Sequence, residues 1–276
     1  MKLKWIVEDN NYMVKDFLLE KGISRNLGRL IKLYGQIYVN GIEVYNYYKL
    51  SKDDELVVVY EEKGSIYPSI NIKIDVVYED DYLLIVNKPF NLSSMPTNKY
   101  FDNNLLSYVK YYFNEKNEDI NPHLVNRLDM ATSGLVIITK QGYLHYEMQK
   151  NELRRFYLAK LECLPSKESG IINLPIGRDE TSKIKRKIDI NGKYAITKYN
   201  IINIAEKIVN IEIETGRTHQ IRVHFSNMGC SVIGDNLYGN FNDNDLLYLS
   251  CYKLLFIHPV TKERLEIIKY PNWYKD

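Results

Sequence analysis

Residues 123–140 read HLVNRLDMATSGLVIITK. A tight turn of Thr132, Ser133 and Gly134 leads into the apolar run Leu135 to Ile138, which has the length and character of a buried strand. Asp129 therefore sits on a loop at the mouth of a rigid scaffold, where reactive side chains are often held. Taken alone, the segment suits a structural ion pair between Arg127 and Asp129, with the Thr-Ser-Gly merely turning the chain. Two distant segments reverse that reading.

Working outward, further short runs have strand character: Tyr82 to Val86, Ile201 to Ile204, Ile208 to Ile213, Leu247 to Phe256 and Leu265 to Ile268. Few long helical patterns lie between them. This predicts an α+β domain on a largely antiparallel mixed sheet with flanking helices and loops. Upstream, EEKGSIYPSI at 61–70 mixes charge, Gly, Ser and Pro and reads as a linker. The expected organisation is a small domain at 1–62, a linker at 63–70 and a larger domain at 71–276.

The small N-terminal region has its own pattern. An apolar helix from Met13 to Glu20 is closed by Gly22, and a second begins at a Ser24 cap. In the second, Leu27, Leu30, Ile31 and Tyr34 recur at helical spacing as a core stripe, while Arg25, Arg29 and Lys32 form a basic ridge on another face. Asn40-Gly41 between Ile37–Val39 and Ile42–Val44 signals a hairpin, and Leu56 to Tyr60 adds a strand. The unit reads as ααβββ.

Composition excludes several classes. Lys and Arg number 37 against 35 Asp and Glu, so any nucleic-acid contact must come from local clusters rather than bulk charge. The 24 tyrosines supply rings for packing and for stacking on bases. Cys163, Cys230 and Cys251 are odd in number and widely spaced, which suggests neither a disulfide framework nor a zinc site and fits the cytoplasm. No apolar run approaches the ~20 residues that span a bilayer.

The other two segments carry candidate chemistry. In Arg154-Arg155-Phe156-Tyr157-Leu158-Ala159, a tyrosine alternates with apolar neighbours at the start of a strand. The stretch from Glu214 to Phe225 follows an alternating strand and reads as a Gly216 turn and then a helix ending near Gly229. With Thr218 as its cap, Arg222 lies one turn in, within reach of the strand ends. His219 and His224 are five apart with no acidic partner to complete a set, so no metal is expected. The Lys183, Lys185, Arg186 and Lys187 run reads as a solvated loop or an RNA contact. A hydrolase reading finds no Ser-His-Asp set.

These segments together resemble the RluA-type RNA pseudouridine synthase family with an N-terminal S4 RNA-binding domain. The likeness rests on GISRNLGRLIKLYGQIYVNGIEV at 22–44, VVYEDDYLLIVNKP at 76–89, NRLDMATSG, RRFYLAKLE, LPIGRDE with Gly192-Lys193 and Tyr199 beyond it, and TGRTHQIRVHFSNMGCSVIGDNLYG at 215–239. It implies that Asp129 is the nucleophile, that Tyr157 stacks on the uracil and transfers a proton, and that Arg222 pairs with Asp129. It also implies substrate binding by Arg127 and Ile221 and phosphate contacts by Arg25, Arg29 and Lys32. The expected activity is isomerisation of a uridine in structured RNA, foremost large-subunit (23S) ribosomal RNA. Transfer RNA, or a non-catalytic ribosome-assembly role, is the alternative. An isomerisation requires no cofactor, and the expected protein is a monomer. Two departures stand out: the family usually has His where this chain has Asn126, and His-Ala where it has Ser250-Cys251.

Overall fold

The computed structural model describes residues 2–10, 12–61, 67–241 and 245–275. In the N-terminal unit, β1 (Lys2–Ile6), α1 (Val14–Glu20), α2 (Arg25–Tyr34), β2 (Gln36–Val39), β3 (Ile42–Val44) and β4 (Glu55–Val59) follow in order. The strands form a sheet in the order β1-β4-β2-β3. The Asn40-Gly41 hairpin is present, with both residues at positive φ of 50° and 81°. Ser24 caps α2 by accepting from Leu27 N at 3.1 Å.

Two expectations for this unit are corrected. The unit has an additional first strand, β1, because Leu3 and neighbouring residues pair antiparallel with β4. The apolar stripe of α2 is only half core: Leu27 and Ile31 are buried, whereas Leu30, Leu33 and Tyr34 face solvent, because α1 and the sheet cover only one side of so short a helix.

The second unit runs through β5 (Asp75–Glu79), β6 (Leu83–Lys88), α3 (Leu105–Glu115), β7 (His123–Leu124), β8 (Ser133–Thr139), α4 (Gly142–Lys150) and β9 (Leu153–Lys160). It continues with β10 (Ser169–Asn173), β11 (Ile176–Arg178), β12 (Arg186–Ile188), β13 (Ile196–Asn203), β14 (Ile208–Ile213), α5 (Gln220–Asn227), β15 (Leu249–Ile257) and β16 (Arg264–Ile268). A ten-stranded sheet has the path β10-β13-β14-β9-β15-β8-β6-β5, with β16 and β7 as side pairs. All its pairings are antiparallel except β15 with β8. The basic run near 183–187 leads into the separate β11–β12 ribbon. The core is built on β6, β8, β9, β14 and β15, whose inward residues such as Ile85, Val136, Ala159 and Ile211 are fully buried.

Of the expected linker, residues 63–66 lie outside the described residues. Ile70 packs on the core of the second unit. The two units also touch through α4. Trp5 meets Tyr143 edge-on at 6.1 Å between ring centroids, and Lys150 Nζ donates to Glu20 O at 3.5 Å.

The cysteine reading is corrected as well. Cys163 and Cys230 form a disulfide, with Cα atoms 4.9 Å apart. Their separation of 67 residues hides them in the sequence. An antiparallel bridge between Leu161 and Val232, followed by a hydrogen bond from Glu162 N to Ser231 O, brings the two residues opposite each other. Cys251 is buried and free. Among the described residues, no helix is long and apolar enough to cross a membrane.

Candidate active site

The loop that carries Asp129 is tied down on both sides. Before it, buried Asn126 accepts from Ile137 N at 2.8 Å and donates from Nδ2 to Leu135 O at 3.1 Å. Beside it, Leu128 N donates to Ser94 Oγ at 3.2 Å and Ser94 Oγ donates to Leu128 O at 2.6 Å. After it, Lys88 Nζ donates to Met130 O at 3.2 Å and to the carbonyls of Pro89 and Leu92 at 3.0 and 2.8 Å. Thr132 N closes the turn onto Asp129 O at 3.0 Å. Gly134 then enters β8 at φ 112°, where a Cβ would collide with the backbone of Cys251. The backbone of the loop is thus pinned at one point after another. Among the described residues no hydrogen bond or ion pair engages the Asp129 carboxylate, and the expected Arg127–Asp129 pair is absent. Arg127 is exposed, its Nη1 lying 4.0 Å from Met95 Sδ.

Sheet order brings the second segment to this loop. Tyr157 on β9 lies between Ile211 of β14 and Cys251 of β15. Cys251 in turn pairs with Gly134 at the start of β8. One intervening strand therefore separates the Tyr157 backbone from Gly134, where the Asp129 loop joins β8, a spacing of about 10 Å. Burial raises the Tyr157 phenol well above its ordinary pKa, Cys251 adds to this, and the Arg155 charge opposes it. The phenol is neutral at physiological pH.

The third segment turns at Gly216 and becomes α5 at Gln220. Here the expected Thr218 cap is corrected. His219 is the N-cap, at φ 58°, with no capping side chain. Gln220 organises the turn instead: its Oε1 accepts from Thr215 Oγ1 and Arg217 N at 2.8 and 3.0 Å, and its Nε2 donates to Ile196 O at 2.8 Å. A buried glutamine tied to three partners fixes the turn more firmly than one hydroxyl. His219 Nδ1 is 2.8 Å from Tyr238 Oη, which accepts from Arg186 N at 2.8 Å. Burial lowers the His219 pKa, with Asp129 opposing.

Arg222 is 3% exposed and Asp235 fully buried, and the two form a fork-to-carboxylate pair at 2.8 and 2.6 Å. The expected direct pairing of Arg222 with Asp129 is therefore replaced. The turn after α5 delivers Asp235, whose Oδ1 also accepts from Leu237 N and Tyr238 N at 3.0 and 3.1 Å. Arg222 still acts on Asp129 through space, as does Lys88. Burial lowers the Lys88 ammonium to about 7 and the Asp129 charge opposes that fall.

Asp129, Tyr157 and Arg222, together with Arg127 and Ile221, line one cavity of about 870 Å³, within the range that takes a nucleotide-sized ligand. Arg25, Arg29 and Lys32 do not. They stand exposed on α2 with no ion pair among the described residues. Sequence reading overlooked Lys88, Asp235 and Arg155. A signal existed for Lys88, a charge closing the apolar run LLIVNK, and for Asp235, an acid opening the GDNLYG turn. Neither signal names the partner. Among the described residues no group of three or more His, Cys, Asp or Glu can hold a metal ion. His219 and His224 instead engage separate partners, the latter Thr197 Oγ1 and Leu174 O at 2.9 and 3.0 Å.

Comparison with known proteins gives a consistent result. The profile of the RNA pseudouridylate synthase family matches residues 82–227, a span that contains Asp129, Tyr157 and Arg222 and omits the N-terminal unit. An uncharacterised RNA pseudouridine synthase of Bacillus subtilis, YjbO, is 32% identical over 262 residues, covering 91% of this chain and 93% of that protein. Ribosomal large subunit pseudouridine synthase D of Zymomonas mobilis is 31% identical over 218 residues, covering 71% and 68%. The solved structure of human RNA pseudouridylate synthase domain containing 1 has a TM-score of 0.61 at 22% identity, covering 76% of this chain and 88% of that one. The last is a likeness of fold.

Proposed function

The chain belongs to the RNA pseudouridylate synthase family, and from that membership we propose that it isomerises a uridine of large-subunit ribosomal RNA with Asp129 as the attacking group. The observation that carries this reading is the carboxylate itself, aimed by a pinned loop into the cavity and without a partner of its own. The ribosomal assignment draws on relatives named large subunit pseudouridine synthase D, at 31% and 32% identity.

The reaction breaks the bond between uracil N1 and carbon 1′, turns the ring and joins carbon 5 to carbon 1′. N1 gains a proton and carbon 5 loses one, so no cofactor enters the balance. Three routes suit a free carboxylate: attack at carbon 1′, removal of a proton from carbon 2′, or addition at carbon 6. Each needs it ionised, and the fixed positive charge of Arg222 lies within electrostatic reach of the carboxylate. Arg222, held rigid by Asp235, serves as a fixed positive charge rather than a direct ligand. Tyr157 offers a ring against which the detached base is held. As a neutral phenol it takes the carbon 5 proton only if it passes its own on, so stacking is the better supported of its two roles. The uridine must leave its stack to enter, at a cost of a few kcal/mol.

The N-terminal unit, residues 1–62, is read as an S4-like RNA-docking domain in which Arg25, Arg29 and Lys32 meet phosphates and 71–276 forms the catalytic domain. A ribosomal RNA substrate is what supports a cytoplasmic site of action. Release of tritium from 5-labelled uridine in unmodified large-subunit ribosomal RNA tests the proposal. Wild type should release it and Asp129→Asn should not. Equal release by both rejects Asp129 as the attacking group, and release only from transfer RNA rejects the ribosomal substrate.

A further inference from the structure

One positive charge in the cavity has no task in the reaction as described. Arg154 and Arg155 are successive on β9 and so point to opposite faces of the sheet. Arg154 is fully engaged, donating from Nε and Nη2 to Glu212 at 2.7 and 3.2 Å. Arg155 lines the cavity, and among the described residues its side chain has no hydrogen bond or ion pair. Its Nε is buried and unpartnered. The guanidinium lies across the Gly216 turn, where a Cβ would stand 2.9 Å from Nη1. Gly216 thus leaves open the space that the guanidinium fills. Two residues along the same face of β9 is Tyr157.

An unpaired guanidinium N–H in a buried position is costly, and native structures rarely keep one without a reason. The remaining cavity charges do not supply a partner. Asp129 is the only carboxylate among the described lining residues, the Arg222 fork is already taken up by Asp235, and Arg217 Nε already donates to Tyr194 O at 2.8 Å. What Arg155 lacks is an anion with two oxygens, the geometry of a phosphodiester. RNA carries one such group on either side of every nucleotide.

We propose that Arg155 is a substrate-binding residue that grips the phosphodiester adjoining the flipped uridine, across the Gly216 turn and beside Tyr157. The grip fixes the strand where the ribose meets Asp129. This rests on the RNA substrate and deepens that reading.

The test uses the full chain as wild type, Arg155→Met, Arg155→Lys and Arg154→Met, with thermal midpoints to confirm folding. Tritium release from a 5-labelled, unmodified large-subunit ribosomal RNA transcript gives kcat and KM, and equilibrium binding of the same transcript over a potassium chloride series gives the salt slope. Arg155→Met should raise KM about tenfold with a smaller effect on kcat, and should lower the salt slope by about 0.7 to 0.9, the value of one phosphate contact. Arg155→Lys should restore the slope but not the whole of KM, since an ammonium lacks the fork. Arg154→Met should keep the wild-type slope. Unchanged KM and slope in Arg155→Met overturn the proposal. So does a fall in kcat at constant KM with a shifted pH profile, which would assign Arg155 to the acidity of Tyr157. The slope comparison relies on binding alone, so it judges Arg155 even if this transcript is not turned over, an outcome that would count against the ribosomal substrate instead.

Discussion

The two units of the protein handle charge in opposite ways. On α2, Arg25, Arg29 and Lys32 stand in water without ion pairs among the described residues. Behind the cavity of the second unit, Lys88 and Asp235 are fully buried and Arg222 nearly so, and each is held by at least two hydrogen bonds. The difference teaches how to separate binding from architecture. Solvated charges act at long range and are screened by salt, so changing them alters affinity and spares the fold. Buried charges cost desolvation that only their partners offset, so changing one partner damages the fold and the site together.

The largest break in that contrast should come from Asp235→Asn. It leaves the Arg222 guanidinium buried without its counter-charge and should cost about 3–5 kcal/mol in a denaturant titration. Arg222→Met combined with Asp235→Leu should cost less than the two single changes added together. Additive losses would show that the pair is not one coupled element.

Next comes Lys88, whose folded-state pKa of about 7 lies below the ordinary 10.5 of the unfolded chain. Between those values the unfolded chain binds more protons than the native one, so the penalty of a buried ammonium falls as pH rises. Wild-type stability should therefore climb relative to Lys88→Met from about pH 7 toward 10, by at most about 1.4 kcal/mol per unit. Parallel stability curves for the two proteins would refute the assignment. Asn126→Ala should cost about 1–3 kcal/mol by orphaning Ile137 N and Leu135 O. It should also lower kcat, because the Asp129 loop loses an anchor. A stability loss with full activity would make Asn126 a purely structural residue.

The smallest change in stability belongs to α2. Replacing Arg25, Arg29 and Lys32 together by Gln should move it by no more than about 0.5 kcal/mol, yet should reduce the salt slope of RNA binding by about 2 to 3. If the slope is unchanged, the ridge is a solvated face and the contrast between the units concerns stability alone.

Local patterns made much of this fold legible. Asn40-Gly41 specified its hairpin, Ser24 its helix cap, and the alternation from Ile208 to Ile213 its strand, because each depends on residues within one or two turns of chain. The three segments bearing Asp129, Tyr157 and Arg222 were legible too, and they do meet at one cavity. Partners were not. Cys163 finds Cys230 through a bridge between chain segments 71 residues apart, Leu161 and Val232, and Arg222 finds Asp235 only when the chain after α5 folds back.

By itself, then, the amino-acid sequence determined which segments become strands and helices and which carboxylate stands on a turn. Periodicity, turn chemistry and capping are short-range effects, and a single chain displays them in order. Only the tertiary structure decided that Lys88 donates to the Asp129 loop while Arg222 forks onto Asp235, and that Arg155 has no partner among the described residues. Those outcomes depend on strand order and on burial. The same guanidinium is inert in water and demanding in a cavity, and residue order alone does not reveal which surroundings it will have.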